Sequence, residues 1–307
     1  GSRLLSGNSE LTVALEHKLA NIFKCDAALI LNSGYTGNLA IFSSIPQKND
    51  TILFDELAHA SIKDGARLSL AKRFSFRHND LNDLEAKIKR AAGKVFIAVE
   101  SVYSMDGDVC PLLELTALAK KHEAFVVLDE AHSTGVTGEL GSGLATTLGV
   151  EDRIDIRLFT FGKALGTHGA CVAGSKTLIE YLINFARPFI YTTALTPHGI
   201  VSIDCAFDYL VENIQLQTTL RDNINAFLSG IGPKTNRTAS LSAIQTLIVA
   251  GNDNVKKAAS ALQKQGLDVR PILSPTVTRG SERLRICLHT FNSLDEIAKL
   301  TSELAMR

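Results

Sequence analysis

Short apolar runs alternate with stretches of helical periodicity along the first two thirds of the chain. Runs rich in Val, Ile, Leu, Phe and Ala predict strands, and they cover 27–31, 51–55, 94–100, 124–129, 156–160 and 170–174. Apolar spacings of three and four predict helices between them, over 8–23, from 39 onward, and over 58–70, 81–91, 112–122 and 176–187. Strands that are apolar on both faces and separated by helices indicate an α/β fold with a mostly parallel, covered sheet.

The pattern changes after Pro197. One long helical stretch over 197–228 is followed by turns, by strand-like runs at 243–250 and 284–288, and by helical stretches at 255–265 and 294–304. Such an arrangement is typical of a smaller α+β domain. We therefore divide the chain into a large domain, residues 1–205, and a small C-terminal domain, residues 206–307.

Composition narrows the class of protein. The 307 residues are 45% hydrophobic and carry a formal net charge of +0, which gives no electrostatic basis for binding nucleic acid or a membrane surface. The five cysteines show no CxxC spacing, so neither a disulfide framework nor a zinc site is predicted. No apolar run approaches the ~20 residues that span a bilayer. We predict a cytoplasmic protein.

Polar residues cluster where the apolar runs end. They occupy 32–38, His59, 100–104, 129–132 and 160–163. Because ligands of open parallel sheets gather beyond the carboxyl ends of the strands, these residues predict a common ligand site.

Lys163 and Asp129 are the most informative pair in this set. Lys163 follows a strand and lies between Gly162 and Gly166, which allow the backbone to approach a ligand closely. Asp129 ends an apolar strand, where a desolvated carboxylate needs a partner. Pyridoxal phosphate (PLP) requires a lysine amine and a carboxylate that keeps its ring nitrogen protonated. The pattern alone leaves open a surface lysine, and a metal-binding or helix-capping aspartate.

Three further motifs fit the same ligand. Ser33, Gly34 and Tyr35 open a helix whose N–H groups and dipole suit a phosphate, although an ordinary strand-to-helix turn has the same pattern. His59 suits stacking on a planar ring or capping a helix, and His132 suits a ligand contact or an ordinary loop. No further His or Cys cluster accompanies Asp129 and His132, so no metal is predicted.

Three segments together resemble the α-oxoamine synthases, which are PLP-dependent transferases of fold type I. The segments are Asp-Glu-Ala-His-Ser-Thr-Gly-Val-Thr-Gly at 129–138, Thr-Phe-Gly-Lys-Ala at 160–164 and the run at 185–195, and the resemblance extends over nearly the whole chain. The residues of the last two segments are most similar to the 8-amino-7-oxononanoate synthase branch. Family members carry several tens of residues before the segment that opens this chain, so we expect an N-terminal segment to be missing.

The resemblance implies a reaction and partners. The reaction is the decarboxylative condensation of L-alanine with a pimeloyl thioester, carried by CoA or an acyl carrier protein, in biotin synthesis. Alternatives are condensation of glycine or serine with another acyl-CoA, and a PLP-binding protein without catalysis. A homodimer with a shared active site is also implied.

The resemblance also implies a role for each site residue. Lys163 binds PLP through a Schiff base and moves the α-proton, Asp129 pairs with the ring nitrogen, and His59 stacks on the ring. His132 and Ser104 contact the phenolic oxygen of the ring.

The phosphate and the substrate carboxylate complete the implied site. Gly34, Tyr35 and Thr160 lie at the phosphate, with Thr192 or Thr193 reaching it from a second subunit. Arg285 binds the amino-acid carboxylate through a bidentate guanidinium, with Arg283 as the alternative.

Overall fold

A computed structural model describes residues 1–232 and 235–305, which form two compact units. The first unit comprises Gly1–Ser101 and Cys110–Asn213, and the second comprises Val102–Val109 and the chain from Ile214 on. The division along the chain therefore falls after residue 213, where the sequence led us to expect 205. The segment 102–109, which we expected in the large domain, groups with the second unit.

The first unit is built on a seven-stranded sheet with the strand order β1-β7-β6-β5-β4-β2-β3. Its strands are β1 (Ala27–Leu31), β2 (Thr51–Asp55), β3 (Lys72–Phe76), β4 (Val95–Glu100), β5 (Phe125–Asp129), β6 (Ile156–Thr160) and β7 (Ala170–Gly174). Only β7 runs opposite to its neighbours, β1 and β6. The predicted mostly parallel sheet is thus confirmed, with β3 as an additional edge strand.

Helices cover the sheet of the first unit. They are α1 (Glu10–Ile22), α2 (Gly34–Ser44), α3 (Ala60–Leu68), α4 (Leu81–Ile88), α5 (Leu112–Lys121), α6 (Leu144–Leu148), α7 (Lys176–Phe185), α8 (Arg187–Ile190) and α9 (Pro197–Glu212). Successive residues of β6 point to opposite faces of the sheet. Leu158 accordingly packs in one buried cluster with Phe42, and Phe159 packs in another with Phe23 and Phe207.

The second unit has a three-stranded antiparallel sheet in the order β8-β10-β9. Its elements are α10 (Gln215–Gly230), β8 (Ile244–Ile248), α11 (Asn252–Gln263), β9 (Arg270–Ile272), β10 (Arg283–Cys287) and α12 (Leu294–Ala305). The segment 102–109 belongs here because Thr238 Oγ1 donates to Asp106 O (2.6 Å) and Ser240 Oγ donates to Gly107 O (2.9 Å).

The single long helix predicted over 197–228 is wrong. The chain leaves helical geometry at Asn213, with φ −123° and ψ 48°, and this residue ends α9. The Asn213 side-chain amide donates to Tyr209 O at 2.8 Å, a carbonyl that also accepts the Asn213 backbone N–H at 3.0 Å. The apolar spacings of the sequence therefore continue across a break in the helix at Asn213.

Candidate active site

A cavity of about 220 Å3 lies at the carboxyl ends of the parallel strands in the first unit. The residues that line it follow β1, β2, β4, β5 and β6, and they are Ser33, Gly34, Tyr35, His59, Ser61, Glu100, Asp129, Ala131, His132, Thr160, Gly162, Lys163, His168 and Gly169. The polar strand ends that the sequence singled out in this unit therefore meet at one site, as the parallel topology requires.

Asp129 is held in place by two donors. The Asn38 amide donates to Asp129 Oδ2 at 2.8 Å, and the Ala131 N–H donates to Oδ1 at 2.9 Å. The Asn38 amide also donates to Ser61 Oγ at 2.9 Å. With Asp129 6% exposed, these bonds fix the orientation of its buried carboxylate.

The metal-ligand interpretation of Asp129 gains no support from its surroundings. Within residues 1–232 and 235–305, no group of three or more His, Cys, Asp or Glu side chains is arranged to hold a metal ion. The Asp129 carboxylate instead accepts the backbone N–H of Ala131, two residues further along the chain.

The start of α2 forms a narrow cradle. Ser33 caps this helix, because its Oγ accepts the Thr36 N–H at 3.2 Å. A Cβ atom at Gly34 would lie 2.4 Å from Thr160 Cγ2, so any larger residue at the first helical position would force Thr160 to move. The N–H groups of the first turn of a helix have no partner within it, and together with the dipole they attract an anion.

His59 both caps α3 and lines the cavity. Its Nδ1 accepts the Ser61 N–H at 3.2 Å and lies 2.7 Å from Ser61 Oγ. Loss of hydration lowers the pKa of His59, the charge of Asp129 opposes this shift, and that of Lys163 adds to it. The ring is therefore neutral near pH 7, with Nδ1 acting as the acceptor.

Lys163 reaches the cavity from the turn after β6. The Gly166 N–H donates to Lys163 O at 3.1 Å, and Gly166 has a φ of +63°, which glycine adopts without strain. His132 and Thr160 lie on the same cavity. The structure thus collects Lys163, Asp129, His132, His59 and the α2 cradle at one place.

Four predicted site residues are not among those that line this cavity. Ser104 and Arg285 belong to the second unit, where Arg285 Nε donates to Ser104 O at 2.8 Å. Thr192 and Thr193 belong to the first unit but do not line this cavity. The Asn32 amide donates to Thr192 Oγ1 at 3.1 Å and to Thr193 O at 2.8 Å.

Three residues at the site had no individual role in the sequence interpretation, although Asn38 and Glu100 lie in polar stretches that it singled out. Asn38 supports Asp129 from the second turn of α2, four residues after Gly34 and therefore on the same face of the helix. Glu100 ends β4 beside Asp129, and His168 follows the Lys163 turn. In the sequence, each of these residues stands out only as a polar side chain on a buried element or in a turn. Its contacts become clear only once the strand register is known.

These groups fit PLP. A carboxylate with two fixed donors can accept the ring N–H, the α2 cradle suits the phosphate, and Lys163 supplies an amine at the same cavity. The fit rests on the chemistry of these donors and acceptors at one cavity.

Comparison with known proteins gives the family. The profile of aminotransferase class I and II matches residues 1–300. The 8-amino-7-oxononanoate synthase of Emericella nidulans (strain FGSC A4) is 41% identical over 99% of this chain and 79% of its own length. The chain belongs to the α-oxoamine synthases. These are PLP-dependent acyltransferases, so PLP is the cofactor of the family to which the site belongs.

Solved structures agree with this assignment. A serine palmitoyltransferase structure with the PLP internal aldimine has a TM-score of 0.94 and 30% identity, covering 100% of this chain and 78% of that one. The 8-amino-7-oxononanoate synthase of Francisella tularensis has a TM-score of 0.85 and 30% identity, covering 98% of this chain and 88% of that one. The predicted type I fold is confirmed. No helix of the described residues is long and apolar enough to cross a membrane.

Proposed function

We propose that this chain condenses L-alanine with a pimeloyl thioester, with loss of CO2, to give 8-amino-7-oxononanoate for biotin synthesis. The meeting of Lys163, Asp129 and the α2 cradle at one cavity carries the proposal. Support for the particular reaction comes from relatives near 40% identity that carry the name 8-amino-7-oxononanoate synthase.

Bound PLP supplies an electron-accepting ring that stabilises negative charge on the α-carbon of the amino acid. Asp129 would hold the ring nitrogen through a hydrogen bond to its carboxylate and would keep that nitrogen protonated, as an electrostatic stabiliser. Lys163 takes the α-proton on its Nζ and later returns a proton. His59, uncharged and fixed by Ser61, offers a flat face to the ring.

Arg285 is the better candidate of the two arginines for binding the amino-acid carboxylate. Arg283 is buried and forms an ion pair with Asp106, and its Nη1 also donates to Met105 O at 3.2 Å. Arg285 donates from Nε to Ser104 O, and its Nη1 lies 3.0 Å from the exposed thiol of Cys287. A guanidinium bound to a neutral carbonyl and thiol keeps its charge available for a carboxylate.

We propose a homodimer as the working form. Leu4, Leu5 and Tyr191 are 50%, 87% and 72% exposed and, with Thr192 and Thr193, line a shallow cavity. Exposed apolar side chains gathered in this way are typical of an interaction surface. A second copy covering it fits the expected contribution of Thr192 or Thr193 across the interface. Light scattering should give twice the chain mass, and a monomer at micromolar concentration would reject this part.

The function is tested by product analysis. Incubation of the PLP-loaded protein with L-alanine and pimeloyl-CoA, or with the pimeloyl carrier protein, should give 8-amino-7-oxononanoate by mass spectrometry. A Lys163→Ala variant should give none. Full activity of that variant would reject the role of Lys163, and absence of product with either donor would reject the reaction.

Condensation of serine with a long-chain acyl-CoA is the second candidate. The TM-score of 0.94 to serine palmitoyltransferase supports it. Titrating the PLP absorbance with alanine, glycine and serine separates the candidates. A response to serine or glycine with none to alanine would replace the alanine proposal.

A further inference from the structure

Two buried carboxyl groups lie side by side at the site. Glu100 of β4 and Asp129 of β5 are register partners in the parallel ladder. Adjacent strands lie about 4.8 Å apart, so the two side chains project from neighbouring positions on the same face. Both line the cavity, and they are 2% and 6% exposed. Two negative charges this close together and buried away from water would raise the free energy of the folded state. One of the two groups therefore keeps its proton.

Hydrogen bonding decides which group keeps the proton. Asp129 accepts from Asn38 and from Ala131, one donor on each oxygen. Glu100 accepts the backbone N–H of His59, and its Oε1 is buried without a hydrogen-bond partner. An ionised carboxylate with an oxygen lacking a donor costs more than a neutral acid in the same place.

We propose that Glu100 is a positioning residue whose carboxyl group stays protonated, so that it adds no second negative charge beside Asp129. This proposal rests on the proposed use of the cavity for PLP. A single anion directs the protonated ring nitrogen to Asp129. It also spares Lys163 a second negative neighbour, which would favour the charged ammonium over the amine that accepts a proton.

The charges around Glu100 agree with this assignment. Burial raises the pKa of Glu100 to about 8, and the charge of Asp129 is the next cause in size. Asp55 on β2 acts in the same direction, whereas the His59 N–H and the Lys163 charge oppose it. Lys63 on α3 also faces Glu100, and its ammonium donates to Glu56 O at 2.6 Å.

The proposal predicts how stability depends on pH. Because the pKa of Glu100 is raised in the folded state, folding retains a proton that the unfolded chain releases. The resulting stability is fully present below the unfolded pKa and is lost as the pH rises toward about 8. One retained proton changes the folding equilibrium constant about tenfold per pH unit between those limits.

The test compares Glu100→Gln, a neutral substitute of nearly the same shape, with the wild type in the full chain without PLP. Between about pH 5 and pH 7.5 the wild-type folding constant should fall about tenfold per unit more steeply than that of Glu100→Gln. Asp83→Asn is the matched control. The Arg77 N–H and Lys87 lower the pKa of Asp83, so it stays ionised through this window and the slope should match the wild type.

Infrared spectroscopy supplies a second readout that needs neither cofactor nor activity. The carbonyl band of a protonated carboxyl group should be present near pH 6.5, should fade as the pH passes about 8, and should be absent from Glu100→Gln. Parallel stability curves for wild type and Glu100→Gln, or an identical band in both, would overturn the proposal. If the alanine reaction failed, the stability and infrared results for Glu100 would still stand. The function proposal and the Glu100 proposal can therefore fail independently.

Discussion

Asn38→Ala tests the support of Asp129 most sharply. Asn38 is 1% exposed, and its side-chain amide donates to Asp129 Oδ2 at 2.8 Å and to Ser61 Oγ at 2.9 Å. Truncation removes both bonds and leaves a buried carboxylate oxygen without that donor. A hydrogen bond to a charged group contributes about 1.5–3 kcal/mol. With the smaller loss at Ser61, we expect the free energy of unfolding to fall by about 3 kcal/mol.

The assay for Asn38→Ala is urea unfolding of the PLP-free protein followed by circular dichroism. Asn184→Ala is the control, since this exposed amide donates to Glu180 O in its own helix. An exposed site of this kind should change stability by less than about 0.5 kcal/mol. We also expect PLP to bind roughly tenfold more weakly to Asn38→Ala, because Asp129 is then held by one donor fewer. A tenfold loss corresponds to about 1.4 kcal/mol of binding free energy. Stability and PLP affinity equal to those of Asn184→Ala would refute the reasoning.

The remaining predictions concern the cradle, the substrate carboxylate and the exposed apolar patch. Gly34→Ala should weaken PLP binding in equilibrium dialysis, because the new Cβ would lie 2.4 Å from Thr160 Cγ2; unchanged affinity would remove the cradle from the phosphate site. Arg285→Lys should raise the KM for alanine at least about tenfold through loss of a bidentate contact, whereas an unchanged KM would remove Arg285 from substrate binding. Leu5→Glu should shift the mass in light scattering toward the monomer, since Leu5 is 87% exposed in the proposed interface; an unshifted dimer would place the interface elsewhere.

The sequence predicted those parts of the fold that depend on a strong apolar signal. Strands such as β4 and β5 are buried along most of their length, so their continuous apolar runs identify them. The edge strand β3 was missed because Lys72, Arg73 and Phe74 are exposed and show no such run. The break at Asn213 was missed because the apolar spacing continues beyond it, whereas the break is a change in the backbone dihedral angles of one residue.

The candidate site divides in the same way. Lys163 and Asp129 could be predicted, since each ends or follows an apolar strand and belongs to a distinctive motif. Asn38 and Glu100 fell within the predicted polar stretches, but their contacts could not be predicted, because these are set by the packing of α2 and by the register of β4 on β5. Register pairs residues far apart in sequence, and no local pattern encodes which two side chains meet.

The visible absorbance of the PLP-loaded protein tests the central claim most directly. If Lys163 holds PLP at the Asp129 cavity for chemistry on alanine, the purified protein should show a visible band that Lys163→Ala lacks. The band of the wild type should shift when L-alanine is added, and to a lesser extent with glycine or serine. A band identical in Lys163→Ala, or one that none of the three amino acids changes, would contradict the account.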